Sequence, residues 1–379
     1  MTTSVPLEGG PVELVGALDL DRSDAGISPR RLPSWTRPQI PDVFMDGIVR
    51  MPSGVRLRFA TDSRSIELDV LLTLLELRPQ PLAPACFDLV VDDAVGGQAC
   101  TEVGQRLVIE QATGAIDFVP GDPTTIRFDD LPAGTKVVEI WLPQRGTTEL
   151  RDLRVDDGSS VEAAPDDRPR WVHYGSSISH CMEAASPLGT WPAIAARVAG
   201  VNLTNLGLGG QCMLDPFVAR TIRDHPADVI SLKVGINLVN ADSMTDRTFG
   251  PALHGFLDQV RDGHPDEPIL LVSPIHCPSV EDHPGPNVAG RDGTYGVVEG
   301  LDEVRITHLT LQKVRAAIEA IVHARRAAGD ANLHYLDGLT LFGPDDVVDL
   351  PDLLHPNPAG YRRIGERFAA AFAAGGPLA

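Results

Sequence analysis

The 379-residue sequence predicts an all-β sandwich followed by an α/β domain with a five-stranded parallel sheet. Three observations carry this. Up to residue 155 the chain runs in short stretches of alternating apolar and polar side chains. Residues 156–169 are small, polar and Pro-bearing, and read as a linker. From Arg170 onward short apolar runs alternate with longer amphipathic ones. The predicted division is therefore 1–155 for the sandwich, 156–169 for the linker and 170–379 for the α/β domain.

Val55-Arg56-Leu57-Arg58-Phe59 and Ile66-Glu67-Leu68-Asp69-Val70 place one face on a core and one in water. Phe87 to Val91, Arg106 to Ile109, Thr125 to Phe128 and Val137 to Leu142 continue the series. Gly-Gly, Pro-Gly-Asp-Pro and Pro-Ala-Gly turns separate them. Many short strands at near-regular spacing predict a β-sandwich of the jelly-roll kind.

Past the linker, Trp171 to Tyr174 is a strand. Thr190 caps a helix from Trp191 that stops at Gly200, with Pro192 in its first turn. Val201 to Asn205 is the second strand, and Asp215-Pro216 opens the next helix. Val229 to Val234 is a strand, Arg247 to Arg261 a helix and Ile269 to Ser273 a strand. Thr310 to Ala328 is a helix with Leu311, Val314, Ile318, Ile321 and Val322 on one face. Leu333 to Leu336 is the fifth strand, and Ala359 to Ala374 the last helix. Such alternation implies helices on both faces and a site beyond the carboxyl ends of the strands.

Thirty-two basic residues face 52 acidic ones, a formal net charge of −20, and only Lys136, Lys233 and Lys313 are lysines. That balance argues against sequence-independent nucleic-acid binding and against docking on anionic lipid. No apolar run approaches the roughly 20 residues of a membrane span. Met1 to Gly10 carries no Lys or Arg and lacks the pattern of a secretory signal. The five cysteines are odd in number with no Cys-x-x-Cys pair, which predicts neither a zinc knuckle nor a disulfide framework. A reduced, cytoplasmic protein is the expectation.

The chemistry-bearing residues sit at the strand ends. Gly175-Ser176-Ser177-Ile178-Ser179 follows the first strand and Leu206-Gly207-Leu208-Gly209-Gly210 the second. Gly235-Ile236-Asn237 follows the third, and Asp352-Leu353-Leu354-His355 precedes the last helix. A serine hydroxyl becomes a nucleophile when a histidine takes its proton. A carboxylate holds that histidine in the working tautomer. Backbone amides and a side-chain amide stabilise the oxyanion.

In these blocks the sequence resembles the SGNH, or GDSL, hydrolases over about residues 170–375. The resemblance implies a flavodoxin-like domain with Ser177 as nucleophile and Asp352 and His355 as its partners. It implies the amides of Ser177 and Gly210 and the side chain of Asn237 as the oxyanion hole. Two departures stand out: Ser176 replaces the family's usual Asp, and Leu238 follows Asn237 where many members have Asp. They bear on substrate-side hydrogen bonding and leave Ser176 as the alternative nucleophile. The sandwich is similar to the carbohydrate-binding-module-like domains that precede the catalytic domain in some carbohydrate esterases. Trp141 and Trp35 are candidates to stack on a ring, although an aromatic in a sandwich strand is more often core. Trp141 and Ser176, the latter from its departure in the first block, are the candidate substrate-side residues.

Cys181, Cys212 and Cys277 read as small filler beside the site. His173, His180, His276 and His283 show no metal-binding spacing, and no metal or cofactor is implied. Lys233 is expected to snorkel or to pair with a carboxylate, with a substrate-carboxylate role as the alternative. Pro278 to Arg305, rich in Gly, Pro and acids, reads as a lid flanking the site.

The expected partners are small-molecule esters, thioesters and hydroxyl acceptors. Oligomeric state is not legible. The resemblance extends to the two-domain acyltransferases that tailor aromatic polyketides in antibiotic biosynthesis, of the salicylyl-transferring type from a tetracycline pathway. It implies acyl-coenzyme A as donor substrate and a natural-product hydroxyl as acceptor. The alternatives are an intracellular carboxylic ester hydrolase or carbohydrate deacetylase of the same family, and a non-catalytic carbohydrate binder. The complete Ser, Gly, Asn, Asp and His set argues against the binder.

Overall fold

The computed structural model describes residues 1–110, 113–298 and 305–378. It divides into two compact units, Met1–Asp167 with Ala185–Leu188, and Arg168–Ala184 with Gly189–Ala379.

The first unit is two facing sheets. One carries Ile66–Arg78 paired with Thr147–Asp156, Thr124–Phe128 and Gln105–Glu110. The other carries Arg56–Thr61, Lys136–Trp141, Ala85–Val91 and Ala94–Thr101. Leu68, Val70, Leu72, Leu150 and Leu153 from the first sheet meet Leu57, Phe59, Phe87, Leu89 and Ile140 from the second in one core. Burying each such side chain contributes roughly 1.5–3 kcal/mol. Period-two alternation makes this possible, because every second residue points inward.

Three features of this unit differ from the expectation. Val43–Arg50 is an α-helix inside the predicted all-β region, with Asp42 accepting from the Met45 amide at its start. Val161–Glu162, inside the expected linker, pairs with Thr61 and Ala60, and Thr61 donates to the Ser160 carbonyl. The open ladder edge of that strand recruits the passing chain. Third, Cys86 and Cys100 form a disulfide, against the expectation of a reduced chain without a disulfide framework. They sit directly opposite one another on antiparallel strands, with Cα atoms 4.1 Å apart. Strand register brings them together, and spacing along the chain does not record it.

The second unit holds a five-stranded parallel sheet. Its strands are β1 (Arg170–Gly175), β2 (Asn202–Gly207), β3 (Val229–Lys233), β4 (Ile269–Val272) and β5 (Leu333–Leu336). The spatial order is β2-β1-β3-β4-β5, with the reversal between β1 and its neighbours that opens a crevice at the strand ends. The helices are α1 (Ser177–His180), α2 (Trp191–Ala199), α3 (Pro216–Asp224), α4 (Ile236–Asn240), α5 (Asp246–Gly263), α6 (Leu311–Ala327) and α7 (Pro358–Ala369). Trp171 of β1 stacks on Phe368 of α7 and meets Trp191 of α2 on one face. Tyr174, of opposite parity, stacks on Phe256 of α5 on the other. Parity along β1 thus sends one aromatic cluster to each side of the sheet.

Candidate active site

The turn from β1 into α1 presents Ser177. Ser176 caps α1, its Oγ accepting from the Ile178 amide at 3.3 Å, and is wholly buried. Cys181, in the left-handed region with φ 62°, ends the helix after one turn. Asn205 of β2 donates to the Ser179 carbonyl at 3.0 Å and accepts from the Gly207 amide at 2.9 Å. A side chain at Gly207 would meet the Ser179 backbone at 2.4 Å, so a glycine lets α1 lie on β2.

A buried polar chain underlies this turn. Trp171 Nε1 donates to Ser231 Oγ at 2.9 Å, and Ser231 Oγ lies 2.7 Å from His173 Nδ1. His173 Nε2 lies 2.8 Å from Ser179 Oγ. Burial, reinforced by the Lys233 charge, pushes the His173 imidazole down to about 3, so the ring is neutral, donating through one nitrogen and accepting through the other.

His355 Nε2 lies 3.0 Å from Ser177 Oγ. Its Nδ1 lies 2.7 Å from Asp352 Oδ2. Asp352 Oδ1 accepts from the backbone amides of His355 at 2.6 Å and Leu354 at 3.0 Å. Asn357 accepts from the Gly360 amide and Pro358 opens α7, so a helix start two residues on fixes His355. Burial alone would raise the Asp352 carboxyl, but the His355 side chain and these amides hold it below the usual carboxylate range. Burial alone would lower His355, but the Glu183 and Asp352 carboxylates carry it above the usual histidine value. Of the two neighbouring serines, His355 reaches Ser177.

Asn237, at the start of α4, accepts through Oδ1 from the Cys212 amide at 3.0 Å. Gly210 turns in the left-handed region with φ 71°. Among the described residues, the amides of Ser177 and Gly210 and Nδ2 of Asn237 meet no protein acceptor. These three donors can serve an oxyanion. The arrangement can move a proton from Ser177 to His355 and stabilise the charge that results on an attacked carbonyl.

Other sequence candidates fall elsewhere. Ser176, expected on the substrate side, is wholly buried with its Oγ capping α1. Trp141 offers no ring face: it is 3% exposed, Arg56 stacks on it at 4.6 Å, and its Nε1 donates to Glu139. Lys233 neither snorkels nor pairs; it is 1% exposed, and Nζ has no hydrogen-bond partner among the described residues. Burial pushes it down to about 8. The thiols of Cys181, Cys212 and Cys277 are buried and pushed up by desolvation, Cys212 to about 12. Among the described residues no cluster of three or more His, Cys, Asp or Glu could hold a metal.

The segment expected as a lid runs through Pro278–Val280 and a hairpin, Asn287–Ala289 with Tyr295–Val297; residues 299–304 of that expectation lie outside the described residues. The Tyr295 amide donates to the Asp352 carbonyl at 2.9 Å, and its ring meets the His355 ring edge-on at 5.5 Å. Sequence reasoning missed Tyr295, Glu183 and Tyr361. None has a local signal, because each gains its meaning from a partner far along the chain.

Fold and site together define a serine enzyme of acyl transfer or hydrolysis on an SGNH scaffold. The chain belongs to the GDSL-like lipase/acylhydrolase family, whose model matches residues 173–363. A second model, described as the SsfX3 N-terminal domain, matches residues 12–151. Among solved structures, the salicylyl-acyltransferase SsfX3 from a tetracycline biosynthetic pathway is similar over 100% of this chain and 99% of its own, with 28% identity and a TM-score of 0.81. A GDSL-like lipase from Bacteroides ovatus aligns over 98% of this chain and 97% of its own, with 19% identity and a TM-score of 0.69. A family two carbohydrate esterase from Clostridium thermocellum aligns over 95% and 97%, with 14% identity and a TM-score of 0.58. The last two share the fold. A search of curated proteins returns no match. No helix among the described residues is long and apolar enough to cross a membrane.

Proposed function

We propose that the chain is an O-acyltransferase that moves an acyl or aroyl group from coenzyme A to a hydroxyl of a small natural product, through an acyl-Ser177 intermediate. The observation that carries this reading is the likeness to the salicylyl-acyltransferase, which spans both units at 28% identity. An acceptor of the aromatic polyketide class follows from the same likeness.

His355 Nε2 takes the Ser177 proton as Oγ attacks the thioester carbonyl. The amides of Ser177 and Gly210 and the Asn237 side chain hold the oxyanion. Asp352 steadies the imidazolium, which returns its proton to the departing coenzyme A thiolate. The acceptor hydroxyl then loses its proton to His355 as it attacks the acyl-serine carbonyl, and His355 gives that proton to the departing Ser177 Oγ, which restores the serine. Water in the acceptor's place would make the same site an esterase, so acceptor positioning and water exclusion decide the outcome. Acyl-coenzyme A is a cytoplasmic metabolite, and the proposal puts the enzyme there. The cysteines no longer speak for that compartment, given the Cys86–Cys100 bond.

The test is intact-protein mass after mixing with acyl- and aryl-coenzyme A thioesters and simple activated esters, with Ser177→Ala beside the wild type. An adduct from a thioester that decays slowly in water and is lost in the variant supports transfer. Rapid turnover of simple esters with no lasting adduct identifies an esterase and overturns the proposal.

A further inference from the structure

Ser177 and His355 are not joined only to each other. Six residues beyond each, a second bond spans the same two segments: the Tyr361 hydroxyl donates to Glu183 Oε2 at 2.8 Å. Glu183 lies just past the left-handed turn at Cys181 that closes α1. Tyr361 is wholly buried in the first turns of α7, the helix that begins immediately after the His355 loop. Among the described residues no Lys or Arg pairs with the Glu183 carboxylate, and the phenol is its hydrogen-bond donor.

We propose that Glu183 and Tyr361 form a positioning pair behind the nucleophile and its base. Tyr361 holds the Glu183 carboxylate in place, and Glu183 acts on His355 as a second anion beside Asp352. This inference rests on the reading of Ser177 and His355 given above.

The physical case has two parts. The bond ties the stretch after the nucleophile to the helix after the base, so it restrains the Ser177–His355 separation. Misplacing such groups by a fraction of an ångström slows transfer steeply. Second, an unneutralised carboxylate favours the cationic imidazole, which forms when His355 takes the serine proton. Such an interaction is stronger in the transition state than in the ground state, which is the condition for accelerating the step. The field of Glu183 is among the influences that carry His355 above the ordinary histidine value against its burial.

The groups in contact with the imidazole are Asp352 from its own loop, Ser177 from α1 and Tyr295 from the hairpin, and the Glu183 carboxylate from the stretch after α1 acts on it through space. Tyr295 and Tyr361 are phenols that burial keeps protonated. The two carboxylates are therefore the anions that raise its titration against burial.

Two variants of the full chain separate charge from geometry. Glu183→Gln keeps an acceptor for Tyr361 and removes the charge. Tyr361→Phe keeps the charge and removes the donor. The readout is kcat and KM for an activated aryl ester from pH 5 to 9 at fixed ionic strength. Glu183→Gln is expected to move the acid limb of kcat/KM to lower pH and to lower kcat on the alkaline plateau on the order of tenfold. Tyr361→Phe is expected to lower kcat with KM unchanged. An acid limb in Glu183→Gln that coincides with the wild type overturns the electrostatic part, and an unaltered kcat in Tyr361→Phe overturns the clamp. The His355 titration, followed by NMR in Ser177→Ala with and without Glu183→Gln, reads the same shift without turnover. Fluorophosphonate labelling of wild-type Ser177 separates the two readings. If labelling fails, the nucleophile assignment falls; if labelling succeeds and the limb stays put, only the electrostatic part of the positioning pair falls.

Discussion

The Cys212 amide donates to Asn237 Oδ1 at 3.0 Å, and this one bond orients the Asn237 amide. A backbone N–H requires an oxygen acceptor, so Nδ2 is the end left to face a developing oxyanion. The loop after β2, which carries Gly210, thus aims the donor that starts α4.

Asn237→Ala should therefore lower kcat by about 10²–10³ while KM changes little, since the lost bond acts on charge that develops in the transition state. Steady-state kinetics on an activated ester check this. A loss confined to KM would mean that Asn237 binds ground-state substrate instead.

The two serines should separate cleanly. Ser177→Ala should abolish fluorophosphonate labelling with folding intact. Ser176→Ala should still be labelled and lose stability by about 0.5–2 kcal/mol, the usual range for removing an N-cap. Labelling followed by mass spectrometry and a thermal melt distinguish the two.

The pH profile follows from the sign of the His355 shift. The imidazole must be neutral to accept the Ser177 proton, so activity is lost as pH falls through its titration. Net carboxylate influence raises that titration against burial, so the acid limb of kcat/KM should lie above the value of about 6.5 of an unperturbed histidine. Asp352→Asn should cut kcat on the order of 10³–10⁴-fold, because the histidine loses the partner that fixes its tautomer. A limb below the unperturbed value would contradict the two-carboxylate environment.

The Cys86–Cys100 bond closes a loop with a sequence separation of 14. By the chain-entropy model, breaking it with Cys100→Ser should cost the sandwich about 3 kcal/mol. Alkylation in denaturant without reductant should modify Cys181, Cys212 and Cys277 alone. Modification of all five cysteines would show the bond absent from the isolated protein.

Where the sequence was legible, local chemistry carried the signal. Trp191–Ala199 and Leu333–Leu336 match their expected spans, since a Pro-bearing first turn, a terminal glycine and a short apolar run are local features. The helix at Val43–Arg50 escaped, although Asp42 caps it, because Val43 and Phe44 are exposed and blur its apolar face. The strands at Glu13–Val15 and Asp19–Arg22 are too short for a period to declare itself. His173, weighed as a metal ligand, is instead a buried link between Ser231 and Ser179. Lys233 lies buried on β3 with no polar partner for Nζ among the described residues, which no strand pattern foretells.

By itself the sequence determined the two-part architecture, the alternation behind the parallel sheet, the strand ends where Ser177, Gly210 and Asn237 stand, and the Asp352–His355 pair ahead of the last helix. Periodicity and turn chemistry are properties of neighbouring residues, and a chain written in one dimension retains them. Only the tertiary structure decided that Ser177 and not Ser176 meets His355. It alone showed that Trp141 is filled by Arg56 and Glu139, that Cys86 finds Cys100, and that Glu183 and Tyr361 close a second bond beside the first. Each of these depends on which side chains a register or a helix docking sets face to face, and contacts between distant residues leave no local periodicity to read.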